Sequence, residues 1–191
     1  MTEENVTRLL SFGTKKPEEA SKRLLSVFSS PFEVADADTA RIADVLGDKS
    51  LALYIKLVAA VVSRRGCDRL KPGKVYTDAE IKDFVLHLFF GLSVETIYVL
   101  TFDSHGEYIA FDKVGEGSAN YSNAMPRKFV EICNRRGAKS LIVAHNHPGG
   151  CAIASFEDIS ATQMLRHIFS AFGLRLINHY IVAQDECIAV E

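Results

Sequence analysis

The segment that most constrains this chain is a short apolar run followed at once by two histidines. Ser140-Leu-Ile-Val-Ala144 has the length and apolarity of a buried β-strand, and His145-Asn-His147-Pro148 comes directly after it. Because side chains alternate along a strand, an extension through His147 points both imidazoles to the same face. Pro148 has no N–H group to donate and ends the pairing. The pattern predicts a strand whose end carries two neighbouring imidazoles.

A carboxylate follows this strand at a fixed spacing. Ser155-x-x-Asp158 is a capping box and predicts the start of a helix, which on its own would be only structural. A lone His-x-His is likewise more often accidental than metal-binding. In combination, two imidazoles and one carboxylate leave one position of a tetrahedral zinc open to water, as hydrolysis requires. We therefore predict Zn²⁺ bound by His145, His147 and Asp158.

The full pattern is His145-x-His147-Pro148-x6-Ser155-x2-Asp158. It resembles the signature of the JAMM (JAB1/MPN+) zinc metalloproteases and, among them, the bacterial RadC-like proteins. Leu174–Val182 is similar to that family's closing strand, and the segment from residue 120 to residue 129 is similar to the start of one of its helices. The resemblance covers the chain from about residue 92 onward. It implies an α+β fold, a JAB/MPN-like α-β-α sandwich with a mixed sheet, and a metallopeptidase or isopeptidase acting on a peptide or protein substrate.

The resemblance also implies two catalytic residues. Glu95 stands at the start of a predicted strand, where the family has its general base, although a solvent-facing strand acid would look the same in the sequence. Ser155 caps the predicted helix, and its hydroxyl or a nearby N–H group can stabilise an oxyanion.

Other residues near the motif have less specific interpretations. Cys151 is expected to be a small buried thiol rather than a fourth metal ligand or a redox group. His179 lies in a predicted strand, either behind the metal ligands or as an ordinary core histidine. We expect His87, His105 and His167 to be surface residues.

The sequence of the first third of the chain predicts a small helical unit, residues 1–70. This unit precedes the main domain, residues 71–191. In RadC-like proteins this region resembles a helix-hairpin-helix module, whose Gly-apolar-Gly turn offers N–H groups to a DNA phosphate. Here the turn is Leu46-Gly47-Asp48-Lys49-Ser50, so an acid and a side-chain-bearing residue replace the apolar residue and the second glycine. We expect a degenerate unit and no strong DNA binding.

Composition adds broad limits. Residues 1–75 contain 13 Lys/Arg and 10 Asp/Glu, an excess of +3 that is ordinary for a solvated surface. The sequence shows no signal peptide and no apolar stretch long enough to span a membrane, and its four cysteines form no Cys-x-x-Cys pair. These features favour a cytoplasmic protein with reduced thiols, and they leave a homo-oligomer open. A catalytically idle JAB-fold binding module and a DNA-repair-associated protein remain the alternatives to a hydrolase.

Overall fold

The computed structural model describes residues 3–117 and 125–190. Its helices are α1 (Glu3–Leu10), α2 (Pro17–Val27), α3 (Pro31–Asp36), α4 (Thr39–Leu46), α5 (Lys49–Cys67), α6 (Asp78–Phe89), α7 (Met125–Arg136) and α8 (Phe156–Ala171). Its strands are β1 (Thr96–Phe102), β2 (Tyr108–Glu116), β3 (Ser140–Asn146), β4 (Arg175–Ala183) and β5 (Glu186–Ala189). Residues 120–124 of the predicted helix start lie outside the described residues. None of the described helices is both long and apolar enough to cross a bilayer.

The strands form one mixed sheet in the order β2-β1-β3-β4-β5. β1 pairs antiparallel with β2 and β3, β4 pairs antiparallel with β5, and β3 and β4 are parallel. A parallel pair needs a crossover connection, and α8 supplies it. β3 is the central strand, and every one of its residues is buried. The α+β class with a mixed sheet is confirmed.

Helices cover both faces of this sheet. On one face, Val143 of β3 shares a core cluster with Phe129 of α7 and Phe169 of α8, whose rings meet edge to face at 5.7 Å. On the other face, Ile142 belongs to a cluster with Phe84 of α6. Neighbouring residues of one strand thus enter different cores, as a strand buried on both faces requires. The predicted α-β-α sandwich is confirmed.

Helices α1 to α5 share a core of their own, made by the buried side chains of Leu10, Leu24, Phe28, Ile42, Leu46, Ala52 and Ile55. Apolar spacing in the sequence predicts helices over residues 17–28, 38–45 and 50–65, with a break at Ser30-Pro31. α2, α4 and α5 lie close to these positions, whereas α1 and α3 were not predicted. Pro31 instead begins α3, and the Ser30 hydroxyl accepts from the N–H of Glu33 at 3.1 Å. Proline suits this position because the first N–H groups of a helix have no partner within it.

The connection between α4 and α5 shows what replaces the hairpin of a DNA-binding module. Gly47 ends α4 in the left-handed region with φ 68°. Asp48 caps α5, and its Oδ1 accepts from the N–H groups of Ser50 at 2.8 Å and Leu51 at 3.0 Å. A phosphate would need such N–H groups at a helix start. The Asp48 carboxylate already occupies this position and carries the same sign of charge as a phosphate.

We therefore expect the full chain to bind duplex and single-stranded DNA weakly at about 0.15 M ionic strength, where dispersed lysines are well screened. Titration followed by fluorescence anisotropy measures the affinity. Asp48→Ala is the matched variant, and it should bind no more weakly than the wild type because it removes a competing anion. Submicromolar binding by the wild type would contradict the prediction.

A clasp around Gly91 joins the helical unit to the loop between α6 and β1. The Lys56 Nζ donates to the carbonyls of Ala35 at 2.6 Å and Gly91 at 2.7 Å. The Asp36 Oδ1 accepts from the N–H of Gly91 at 2.9 Å. Gly91 has φ +81°, and a Cβ there would lie 3.0 Å from the Cβ of Ala59. Only glycine fits this backbone without strain.

Burial has the largest effect on the pKa values of the two ionisable residues of the clasp, Asp36 and Lys56. It raises the pKa of Asp36 to about 6, against the opposing effects of the Gly91 N–H and the Lys56 charge. Burial also lowers the pKa of Lys56, and the charges of Asp36 and Asp38 oppose that shift. Because the folded-state pKa of Asp36 lies above its ordinary value, protonation favours the folded chain. That contribution is full below about pH 4 and is lost as the pH rises through about 6.

We expect an NMR titration of the Asp36 carboxyl carbon to have its midpoint near pH 6. Lys56→Met should move the midpoint higher, because it removes a charge that stabilises the carboxylate. Lys22→Met, at an exposed lysine of α2, serves as the control and should leave the midpoint unchanged. A wild-type midpoint near the ordinary value of about 3.9 would contradict the assignment.

Candidate metal centre

Two imidazoles meet at the C-terminal end of β3. The His145 side chain is fully buried, and the His147 side chain is 25% exposed. Their Nε2 atoms lie 2.9 Å apart, so both rings point to one face, as alternation along the strand requires. The N–H of His147 still donates to the carbonyl of Val182 at 2.8 Å, immediately before Pro148. Pairing with β4 therefore fixes the backbone that carries both rings.

The start of α8 brings Asp158 to these rings. Ser155 caps the helix, and its hydroxyl accepts from the Asp158 N–H at 3.1 Å. The Asp158 Oδ2 accepts from the Ser155 hydroxyl at 2.6 Å and from the Ser155 N–H at 2.9 Å. The Asp158 carboxylate reaches the Nε2 atoms of His145 at 3.2 Å and His147 at 3.6 Å. The capping box thus holds the carboxylate in place beside the two imidazoles.

The proton positions of this group suit a metal ion. The Nδ1 of His147 lies 3.2 Å from the carbonyl oxygen of Cys151, which can only accept. In the neutral ring the proton is therefore on Nδ1 and a lone pair is on Nε2. The ligand atoms of His145, His147 and Asp158 all lie within 4.8 Å of one another. Acceptors this close in a dry space repel one another unless a cation lies between them, so the group can hold a metal ion.

Burial and hydrogen bonding have opposite effects on the pKa of Asp158. Burial would raise the pKa of Asp158, but the hydrogen bonds from His145 and Ser155 outweigh it and hold that pKa well below its ordinary range. Asp158 is therefore an anion at neutral pH. Behind the ligands, burial lowers the pKa of His179 to about 3. His179 is accordingly a neutral imidazole.

Two residues behind the ligands complete the hydrogen bonding. The His179 Nε2 lies 2.9 Å from the Nδ1 of His145, and the His179 Nδ1 lies 2.6 Å from the hydroxyl of Thr162. Of the two interpretations of His179, the structure bears out the position behind the ligands. Thr162 was not among the predicted site residues. Its spacing of four residues from Asp158 could have revealed it, because residues i and i+4 share one face of a helix.

Glu95 lies immediately before β1. In the β1–β3 pairing Ile97 stands opposite His145, and the N–H of Thr96 donates to the side-chain oxygen of Asn146 at 2.8 Å. Extending this register by two residues places Glu95 opposite His147, and alternation gives Glu95 the same face as Ile97. Glu95 is half-buried. Its position suits a general base, and its catalytic role stays a prediction.

The predictions for Ser155 and Cys151 have different outcomes. The hydroxyl proton and the N–H of Ser155 both go to Asp158, which makes Ser155 an anchor for that carboxylate. Its role at an oxyanion stays a prediction. The buried thiol expected at Cys151 is wrong, because Cys151 is exposed. It follows the Pro148-Gly149-Gly150 turn and contributes its backbone carbonyl, not its sulfur, to the His147 ring.

The predictions of surface positions for the three remaining histidines also have different outcomes. His105 and His167 are exposed, as predicted. His87 is not a free surface residue, because its side chain is 25% exposed and its Nδ1 lies 2.7 Å from the carbonyl of Asp83. A Cβ at position 66 would overlap the His87 side chain. Gly66 therefore permits the close approach of α5 to α6, which is what covers His87.

A cavity of about 360 Å³ adjoins the candidate centre. Asp158 and His179 form part of its wall, and the apolar part of the wall is made by Ile97, Phe129, Val143, Met164 and Leu165. A larger cavity of about 560 Å³ lies between the helical unit and α6. Of the described residues that line the larger one, none is a candidate metal ligand. The smaller cavity is therefore the one relevant to chemistry at Asp158.

A family comparison agrees with this geometry. The model of the RadC-like JAB domain matches residues 75–191, which is more than half of the chain. The chain belongs to the RadC-like JAB domain family. The matched segment contains Glu95, His145, His147, Ser155 and Asp158.

Similar bacterial proteins carry the name UPF0758. One from Shewanella woodyi is 27% identical over 174 residues, 90% of this chain and 77% of the relative. One from Cupriavidus pinatubonensis is 26% identical over 171 residues, 88% of this chain and 75% of the relative. For one from Shewanella pealeana, 27% identical over 139 residues, the match spans 71% of this chain and 62% of the relative. The shared name states no activity.

We expect His145→Ala, His147→Ala and Asp158→Ala each to abolish stoichiometric metal binding, because each removes one of three converging ligand atoms. Elemental analysis by mass spectrometry after dialysis measures the metal content. His167→Ala, at the exposed histidine of α8, is the matched control and should keep the wild-type content. One retained metal equivalent in His147→Ala would show the ligand assignment to be wrong.

Proposed function

We propose that this chain is a zinc-dependent hydrolase that cleaves a peptide or isopeptide bond. The observation that carries the proposal is the convergence of the His145 and His147 Nε2 atoms and the Asp158 carboxylate in one small, largely buried space. Family membership supports it, since the motif residues lie within the matched domain.

The ligand set favours zinc over other common metals. Imidazole nitrogens and one carboxylate oxygen match the ligands that zinc takes in catalytic sites, whereas calcium and magnesium prefer oxygen ligands alone. Three protein ligands leave a position for water or substrate, which distinguishes a catalytic from a structural zinc site. When bound, zinc supplies a Lewis acid that polarises a carbonyl and lowers the pKa of a water molecule.

The protein residues then have separate tasks. Ser155 and the start of α8 hold the Asp158 carboxylate, and the carbonyl of Cys151 holds the His147 ring. Glu95 takes a proton from the attacking water and returns it to the leaving amine, the step that amide hydrolysis needs besides polarisation. The register of β1 supports this role, since it brings position 95 to the same edge of the sheet as His147.

A metal-bearing but catalytically idle binding module is the alternative, and the two proposals differ in one measurement. The alternative gives zinc at one equivalent and no hydrolysis. Digestion of a proteome-derived peptide library and of isopeptide-linked substrates, each with and without chelator, separates them. Cleavage that is lost with chelator and restored with zinc supports the hydrolase.

Glu95→Gln should retain one metal equivalent and lose hydrolysis by about 100-fold or more, because Gln keeps the shape and removes the proton acceptor. Turnover and metal content are measured on the same preparation. Glu131→Gln, at an exposed acid of α7, is the control and should behave as the wild type in both. Wild-type turnover in Glu95→Gln would exclude Glu95 as the base.

A further inference from the structure

We infer that Thr162 and His179 are positioning residues, which form a hydrogen-bonded relay that sets the metal-binding tautomer of His145. The inference rests on the ligand assignment within the proposed function, but not on hydrolysis. It concerns where the proton of the His145 ring lies, and hence whether Nε2 presents a lone pair to the metal ion.

The relay is continuous and buried. It runs from the Nδ1 of His145 to the Nε2 of His179 (2.9 Å), and from the Nδ1 of His179 to the Thr162 Oγ1 (2.6 Å). From there the Thr162 hydroxyl reaches the carbonyl oxygen of Asp158 at 2.6 Å. His145, His179 and Thr162 are all at most 1% exposed. Buried polar groups in proteins are nearly always hydrogen-bonded, and the relay gives each of these side chains a partner.

The direction of the hydrogen bonds in the relay follows from where the Thr162 hydroxyl proton points. The carbonyl of Asp158 only accepts, and in the metal-binding order the single hydroxyl proton of Thr162 goes to it. The Thr162 oxygen then accepts from the Nδ1–H of His179, and the neutral His179 ring has its lone pair on Nε2. That lone pair accepts from the Nδ1–H of His145. The His145 proton is thereby held on Nδ1, and its Nε2 carries the lone pair that a metal ion requires.

The same distances permit a second arrangement, or order, of the protons along the relay. If the Thr162 hydroxyl turns and donates to the Nδ1 of His179, every hydrogen bond in the relay reverses, and His145 carries its proton on Nε2. That proton then points at the Asp158 Oδ1, 3.2 Å away. Both orders keep the two rings neutral. The rotation of one hydroxyl therefore lets the centre change between a proton-bearing and a metal-binding His145 with no change of charge in the core.

Asp158 takes part at both ends. Its carboxylate faces the metal position, and its backbone carbonyl accepts from Thr162 one helical turn further along α8. The first turns of α8 thus position one ligand directly and set the proton of another through two side chains. Partners behind the ligands of metal sites commonly act in this way.

Thr162→Val tests the relay, because Val keeps the shape of Thr and removes the hydroxyl. The metal-binding order would then leave the Nδ1–H of His179 buried without an acceptor. We expect a loss of zinc affinity of about 10-fold to 100-fold, measured by competition with a chromophoric chelator. Thr162→Ser restores the hydroxyl without the methyl group, and it should bind zinc as the wild type does.

His179 offers a second matched pair. His179→Gln keeps a carbonyl that can accept from the Nδ1–H of His145, whereas His179→Leu keeps only bulk. We expect His179→Gln to bind zinc more tightly than His179→Leu. Thermal unfolding of the metal-free variants identifies those that are folded, and the Thr162 pair decides the outcome if the His179 pair is unfolded.

Wild-type zinc affinity in Thr162→Val would overturn the inference, and so would equal losses in Thr162→Val and Thr162→Ser, which would indicate packing alone. In the zinc-loaded protein, ¹⁵N NMR of the ring nitrogens should find the protons of both His145 and His179 on Nδ1. A proton on the Nε2 of His179 would also overturn it. None of these measurements depends on turnover, so a failure of hydrolysis alone would leave the inference in place.

Discussion

The arrangement of the candidate centre depends on one electrostatic constraint, the meeting of three acceptors in a largely buried space. The Nε2 atoms of His145 and His147 and the carboxylate of Asp158 approach within 3.6 Å of one another. Without a proton or a cation between them these atoms repel one another, and burial reduces the solvation that would offset the cost. The sandwich maintains the arrangement because β3 and the start of α8 are anchored independently. β3 is held by strands on both sides, and α8 by the aromatic core beneath it.

Local patterns predicted most of this centre because the residues that form it lie close together in the sequence. The apolar run before His145 and the capping box at Ser155 each indicate an element through contacts within a few residues. The position of Glu95 is harder to predict, because it depends on the register of β1 against β3, which is set by pairing over long sequence distances. The sequence puts Thr162 on the same helix face as Asp158 and leaves two interpretations for His179, but the hydrogen bond between Thr162 and His179 depends on the packing of β4 against α8.

The failures of sequence interpretation have physical causes of the same kind. Ser30-Pro31 indicates a break equally well whether the chain then forms a loop or begins a new helix. Here the Ser30 cap is combined with the burial of Val34 and Ala35, and α3 forms. Cys151 looked like a buried thiol because cysteine usually is one. The preceding proline and glycines turn the chain outward instead, with the Cys151 carbonyl, and not its sulfur, directed at His147.

The Gly91 clasp gives the helical unit a structural connection to the centre. Both backbone groups of Gly91 are bound by residues of that unit, the N–H by Asp36 and the carbonyl by Lys56. Gly91 precedes Glu95 by only four residues. A segment this short, fixed at Gly91 by the clasp and at Thr96 by the Asn146 side chain, leaves Glu95 few backbone conformations. The helical unit thus supports the segment that carries the candidate base. This support does not require the hairpin of a DNA-binding module, in which a phosphate would take the place that Asp48 occupies here.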